Sequence, residues 1–226
     1  MKNWGYICDE LKNTNTMLSD SKINANYLAY LKRLEKYGCY SEEMINDIGE
    51  DIKNASFSMQ EESGSSYKGS MIDAVLNSLC KIAYDINENG FGAADKNNSI
   101  AHPYLKVNFD MLMRVLLLQH IGKAQMFVEE TDNWKRTKRG YNYDFNNDLP
   151  ANLKMGERSL YLCQKYGISL AEEEYEAIRI IDKVDDGKGD YYASPLAVMA
   201  KFVNMLAAIE LKLKYQNKST KEKVEQ

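Results

Sequence analysis

With 226 residues, 29 basic and 33 acidic side chains, the chain carries a formal net charge of -4 and a sequence pI near 5.4. That length suffices for one substantial core, so a single domain is the simplest organisation. The acidic balance supplies no global positive field for nucleic acid or an anionic membrane. Apolar runs fall far short of the roughly 20 residues that a membrane-spanning helix needs, and the opening "MKNWGYICDELKN" lacks the apolar core of a signal peptide. The expectation is a cytoplasmic, soluble protein with no membrane partner, a virion component being the alternative location.

Few residues break helical spacing, because there are only three prolines and little alternation of β-branched side chains. "NANYLAYLKRLEKYG" sets Tyr27, Tyr30, Leu31 and Leu34 on one face and stops at Gly38, the expected left-handed C-terminal position. "SEEMINDIGEDIKN" follows, with Ser41 as N-cap and Met44, Ile45 and Ile48 as its inner stripe. The polar, glycine-containing stretch Ser58 to Ser70 predicts a loop. Helical spacing resumes through Ile72, Val75, Leu76, Leu79 and Ile82, and after a second loop Pro103 suits a first helical turn.

The next helix carries Phe109, Leu112, Met113, Leu116, Leu117 and His120 at i, i+3, i+4, i+7, i+8 and i+11. This places His120 in the buried stripe and Gln119 at its flank. The region around 129–155 is rich in turn formers and reads as a long irregular excursion, with a small hairpin through "YNYDF". Within it, "NWKRTKRGYNY" interleaves Lys135, Arg136, Lys138 and Arg139 with aromatics, a composition that suits single-stranded nucleic acid. Acidic residues flank the run on both sides, so nucleic acid is disfavoured as a partner and a solvated charged face is expected.

Three further helices close the chain. "GERSLYLCQKYG" is short, "SLAEEEYEAIRIIDKV" opens with glutamates suited to the helix dipole, and "SPLAVMAKFVNMLAAIELKLKY" starts with Ser194 as N-cap and Pro195 at the first position. The domain reading is one helical unit over 1–226, with an N-terminal helical extension over 1–26 and a polar tail over 215–226. Cys8, Cys39, Cys80 and Cys163 are scattered, which argues against a zinc knot or a disulfide scaffold. Cys80 and Cys163 fall in apolar helical patterns and read as small buried thiols.

The dinucleotide, phosphate-loop, zinc-protease and nucleophile-elbow motifs are all absent. Taken in order from Tyr27 to Leu213, however, "LLLQHIGK", "RGYNYDFNNDLP", "MGERSLYLCQKY", "AIRI" and "PLAVMAKFVNMLAA" resemble the HD-domain phosphohydrolase superfamily in its bacterial and phage members. The resemblance implies an all-α, HD-domain-like helical bundle whose cleft holds one or two divalent metals. In that family histidines and aspartates hold the metal, which lowers the pKa of bound water and polarises a phosphoryl oxygen.

The sequence departs from the family at the ligand positions. Ala74 stands where the first histidine is expected, and Gln119 and His120 replace the His-Asp pair. Met155 and Ile181 replace later histidines, and Asn204 replaces the late aspartate. With only His102 and His120 in the chain, a multi-histidine metal site is excluded by arithmetic. Neither catalytic residues nor metal ligands are therefore assigned.

The leading expectation is a non-catalytic HD-like protein acting as an interaction or structural component, with a protein partner or a homo-oligomer, a phage or other assembly included. One alternative is a phosphohydrolase acting on nucleotides or phosphate esters with magnesium or manganese, its site rebuilt from carboxylates such as Asp73, Asp182 and Asp185. Another is a sensor in which Lys123 and Arg179, near Glu157, bind a small phosphate-bearing ligand without cleaving it. The competing structural expectation is that Lys123, Glu157 and Arg179 form helix–helix ion pairs.

Overall fold

In a computed structural model the described residues are 18–89, 107–150, 152–182 and 193–224, with side chains described to 217 apart from that of residue 89. The helix α1 (Asp20–Lys36) begins at Ser19, whose hydroxyl accepts from Lys22 N–H. It runs unbroken through residue 26, and residues 1–17 of the expected N-terminal extension lie outside the described residues. The stop at Gly38 is as expected, with φ +65°. In α2 (Glu42–Asn54), Ser41 caps the first turn through Met44 N–H, and Met44, Ile48 and Ile52 are buried.

The Ser58–Ser70 segment is a loop, but not the solvated one its composition predicts. Ser65, Ser66 and Ser70 are buried, because their hydroxyls find local partners: Ser70 Oγ donates to Ser65 O at 2.7 Å, Ser66 Oγ donates to Met59 O at 2.9 Å, and Ser65 Oγ pairs with Ser63 Oγ at 3.2 Å. Serine can enter an interior on those terms, since a hydrogen-bonded hydroxyl avoids most of the burial penalty. The helix that follows is continuous but mixed: α3 (Ser70–Ala74), a π-helical turn (Val75–Leu79) and α4 (Cys80–Asn89). Such turns insert an extra residue into a helix and re-aim its faces, and no periodicity signalled this one. Asp73, just before it, accepts from Asn26 Nδ2 at 3.0 Å, Asn77 Nδ2 at 2.7 Å and Tyr67 Oη at 2.8 Å.

Pro103 lies outside the described residues; the next helix, α5 (Phe109–Leu118), is capped by Asn108 Oδ1, which accepts from Asp110 and Met111 N–H. Leu112, Met113 and every residue from Val115 to His120 are buried, so α5 is the central helix and has no polar flank near its end. A 3₁₀ turn (Ile121–Lys123) leads into β1 (Phe127–Glu129), α6 (Asn133–Arg139) and β2 (Tyr143–Phe145). The expected hairpin through "YNYDF" is present: β1 and β2 pair antiparallel, Val128 opposite Asp144. The excursion is less irregular than its composition predicts, because Asp132 caps α6 by accepting from Trp134 and Lys135 N–H. It also docks on the serine loop, through Glu61 N–H to Gly140 O and Asn142 Nδ2 to Ser66 O.

The helices α7 (Met155–Lys165), α8 (Glu172–Arg179) and α9 (Pro195–Val224) complete an all-α architecture with one small two-stranded sheet among the described residues. Ser194 caps α9 through Ala197 N–H, and Pro195 opens it. The expected polar tail from 215 is helical in backbone to Val224. A single apolar core joins α1 to α5 and α7 to α9, and Cys80 and Cys163 are buried within it as expected. Among the described residues no helix is long and apolar enough to cross a membrane.

Candidate functional site

The end of α5 meets the first turn of α7 and the middle of α9, and there the fold brings four of the six expected positions together. Two close approaches make this possible. A Cβ on Gly122 would stand 2.4 Å from Met155 O, and one on Gly156 would stand 2.4 Å from Ile178 O. Only glycine lets the 3₁₀ turn and the end of α8 close on α7 in this way. Ser159 fastens the junction, accepting from Gly122 N–H at 2.9 Å and donating to Gln119 O at 2.8 Å.

Gln119 and Asn204 form a reciprocal amide pair. Gln119 Nε2 donates to Asn204 Oδ1 at 3.2 Å and Asn204 Nδ2 donates back to Gln119 Oε1 at 3.1 Å. Asn204 Nδ2 also donates to Ala200 O at 2.7 Å, which fixes the orientation of the amide, since a flip would press oxygen against oxygen. His120 Nε2 lies 3.0 Å from Asn204 Oδ1, an acceptor only, so Nε2 carries the proton and donates. His120 Nδ1 faces Met155 Sδ at 3.0 Å. The ring of Phe57 meets His120 edge-on, 4.7 Å between centroids.

These contacts determine the protonation of the site. A second proton on His120 would be buried and aimed at a thioether, which accepts weakly. Burial, helped by the Lys123 ammonium and opposed by the Asn204 hydrogen bond, lowers the His120 pKa to about 3. Lys123 donates to Phe57 O and its ammonium lies 3.8 Å from the centroid of the Phe57 ring, a cation–π contact. Burial lowers its pKa to about 8, with the Asp182 carboxylate opposing. Asp182 itself accepts from Gly156 N–H at 2.6 Å.

No known protein family, curated protein or solved structure matches the chain.

The site must therefore be judged on its donors. A hard divalent ion calls for carboxylates or free imidazole nitrogens. Here Gln119 and His120 are neutral and both bonded to the neutral Asn204 amide, and Met155 offers a thioether, so these residues do not fit magnesium or manganese. Of the carboxylates that a rebuilt site would need, Asp73 is held by three donors and Asp182 by a backbone N–H, while Asp185 lies outside the described residues. Among the described residues no group of three His, Cys, Asp or Glu side chains is placed to hold a metal.

The remaining expected positions add no hydrogen bond to this network. Ala74 is buried and contributes no polar atom, and Ile181 packs its Cγ2 beside Gly156. Gln119, expected at the flank of the stripe, is wholly buried, because α5 is covered on all sides. Glu157 and Arg179 are exposed and do not share the interior with Lys123. The Glu157 carboxylate closes its own helix start by accepting from Lys154 N–H at 3.2 Å. Sequence reading missed Phe57 and Ser159. Phe57 lies in a polar stretch with no periodicity, whereas Ser159 sits inside "GERS" and could have been found as the polar residue one turn beyond Met155.

A separate cleft of about 560 Å³ opens between Cys39, Tyr40, Arg114, Ser169 and Glu174. Its cation is already engaged. Arg114 Nε donates to Glu174 Oε1 at 2.6 Å, Nη1 to Tyr37 O and Gly38 O at 2.9 Å each, and Nη2 to Ser169 O at 2.6 Å. Glu174 Oε2 accepts from Ala171 N–H. This is a partly buried clamp joining the segments after α1 and α7 to α5 and α8, with its charges already matched.

Proposed function

We propose that the chain is a non-catalytic, HD-like protein that works as an interaction or structural component. The observation that carries this reading is the closed hydrogen-bond circuit of Gln119, His120 and Asn204 at the positions where the resemblance expects metal ligands. All four hydrogen-bonding capacities of the Asn204 amide are used, so activating water there would first require breaking a buried polar network. The interaction role draws support from α9, where Val198, Met205, Ile209 and Leu213 are 42 to 54 % exposed and recur at helical spacing along one stripe. A protein partner or a second copy would cover it.

Metal analysis of protein purified without chelator, with a phosphatase and phosphodiesterase panel, tests the reading. The expected result is no stoichiometric metal and no turnover; stoichiometric manganese with chelator-sensitive turnover would overturn it. A second experiment tests the HD-like correspondence itself. The combined variant Ala74→His, Gln119→His, His120→Asp and Asn204→Asp is expected to acquire stoichiometric manganese. A folded variant that gains no metal would remove the correspondence.

A further inference from the structure

Lys135, the first cation of the basic run, is turned inward. Its ammonium reaches Glu130 Oε2 at 3.0 Å and Asp144 Oδ2 at 2.8 Å, pinning α6 to β2 and to the residue that follows β1. Two of the flanking carboxylates that counted against an anionic partner are thereby occupied by Lys135. A third, Asp132, accepts from backbone N–H at the opposite end of α6 from the basic turn. Arg136, Lys138 and Arg139 are left exposed in the last turn, and none has a carboxylate partner among the described residues.

Aromatic rings lie among these cations. Trp134 is 59 % exposed, so its ring is accessible beside these cations. The Arg139 guanidinium stands 5.8 Å from the ring centroids of both Trp134 and Tyr141, a cation between two rings. Cations in the last turn also suit the helix dipole, but the dipole gives no reason for an exposed tryptophan beside them. Glu61, beside Gly140, bounds the face on one side.

We propose that the exposed face of α6, built from Trp134, Arg136, Lys138 and Arg139 with Tyr141, binds single-stranded nucleic acid, the cations meeting phosphates and Trp134 stacking on a base. Charge complementarity with a phosphodiester chain favours this occupant, and aromatic stacking is what separates it from an acidic protein surface, which would use the cations alone. The face belongs to the excursion and is independent of the closed centre around His120.

Fluorescence anisotropy of labelled fifteen-nucleotide oligo-dT and oligo-U, titrated with the full chain at several salt concentrations, tests the proposal. Binding is expected, with log K falling against log salt at a slope of about -2, as three phosphate contacts on a single strand would give. Arg136→Ala, Lys138→Ala and Arg139→Ala together are expected to abolish that slope. Trp134→Ala is expected to weaken binding about tenfold and Trp134→Phe to restore most of it, while Glu61→Gln should tighten it. Circular dichroism melting checks that these surface variants remain folded. Absence of binding at low salt would overturn the proposal, as would a slope unchanged in the triple variant. So would equal binding of polyglutamate with no effect of Trp134→Ala, which would assign the face to an acidic protein.

Discussion

The centre around His120 and the β1–α6–β2 excursion solve the same problem of placing polar side chains in opposite ways. In the centre the Gln119, His120 and Asn204 side chains are neutral, and Asn204 serves Gln119, His120 and Ala200 with all of its hydrogen-bonding capacity. In the excursion one cation, Lys135, is matched by Glu130 and Asp144, and three neighbours are left to solvent. The difference follows from dielectric. An unmatched charge in the interior costs far more than a hydrogen-bonded amide pair, whereas in water an exposed guanidinium costs almost nothing and stays available.

That contrast can be broken deliberately. Asn204→Leu should strand Gln119 and His120 without partners and lower stability by roughly 2–4 kcal/mol, read as a fall in Tm of about 5–15 °C. If the melting temperature does not change, the circuit contributes little to the fold. Acid should act next. The folded His120 pKa of about 3 lies below its unfolded value near 6.5, so between those values the unfolded chain binds the extra proton and stability falls as pH drops. The loss attributable to this residue is about 2 kcal/mol by pH 5, and it should vanish in His120→Gln when denaturation midpoints are compared across pH.

Lys123 gives the basic counterpart. Its folded pKa of about 8 lies below the ordinary 10.5, so the cost of holding it charged in the folded state is present below pH 8 and is relieved between those values. Stability should therefore rise with pH in that window in the native protein relative to Lys123→Met. Gly122→Ala should cost about 1–3 kcal/mol by overpacking against α7, and chemical denaturation would measure it. The smallest effects belong to the excursion. Lys135→Ala should lower hydrogen-exchange protection in β1 and β2 alone, and Lys138→Ala should leave both protection and Tm unchanged. An equal effect of the two lysines would erase the distinction between the matched and the exposed cation.

Much of the local chemistry was legible in the residues. Ser41 and Ser194 cap helices, Gly38 ends one, and "YNYDF" supplies a strand, all because capping and turn preferences act over a few residues. His120 in the interior followed from the stripe that begins at Phe109. Gln119 did not, because periodicity describes one helix and cannot say that α5 is covered on its other side as well. The separation of Lys123 from Glu157 and Arg179 was equally hidden, since the three are distant in sequence and their exposure depends on how α7 and α8 pack.

By itself the sequence determined the all-α class, the caps at Ser41 and Ser194, the stop at Gly38, the burial of Cys80 and Cys163, and the shortage of histidines that rules out a multi-histidine metal site. These rest on local preferences and on counting. Only the tertiary structure decided that Gln119, His120, Met155 and Asn204 meet, that two of them pair as amides, and that Lys135 is spent while Arg136, Lys138 and Arg139 are not. Such outcomes depend on side chains brought together from far along the chain, where burial sets the cost of a charge and a neighbour's lone pair sets where a proton sits.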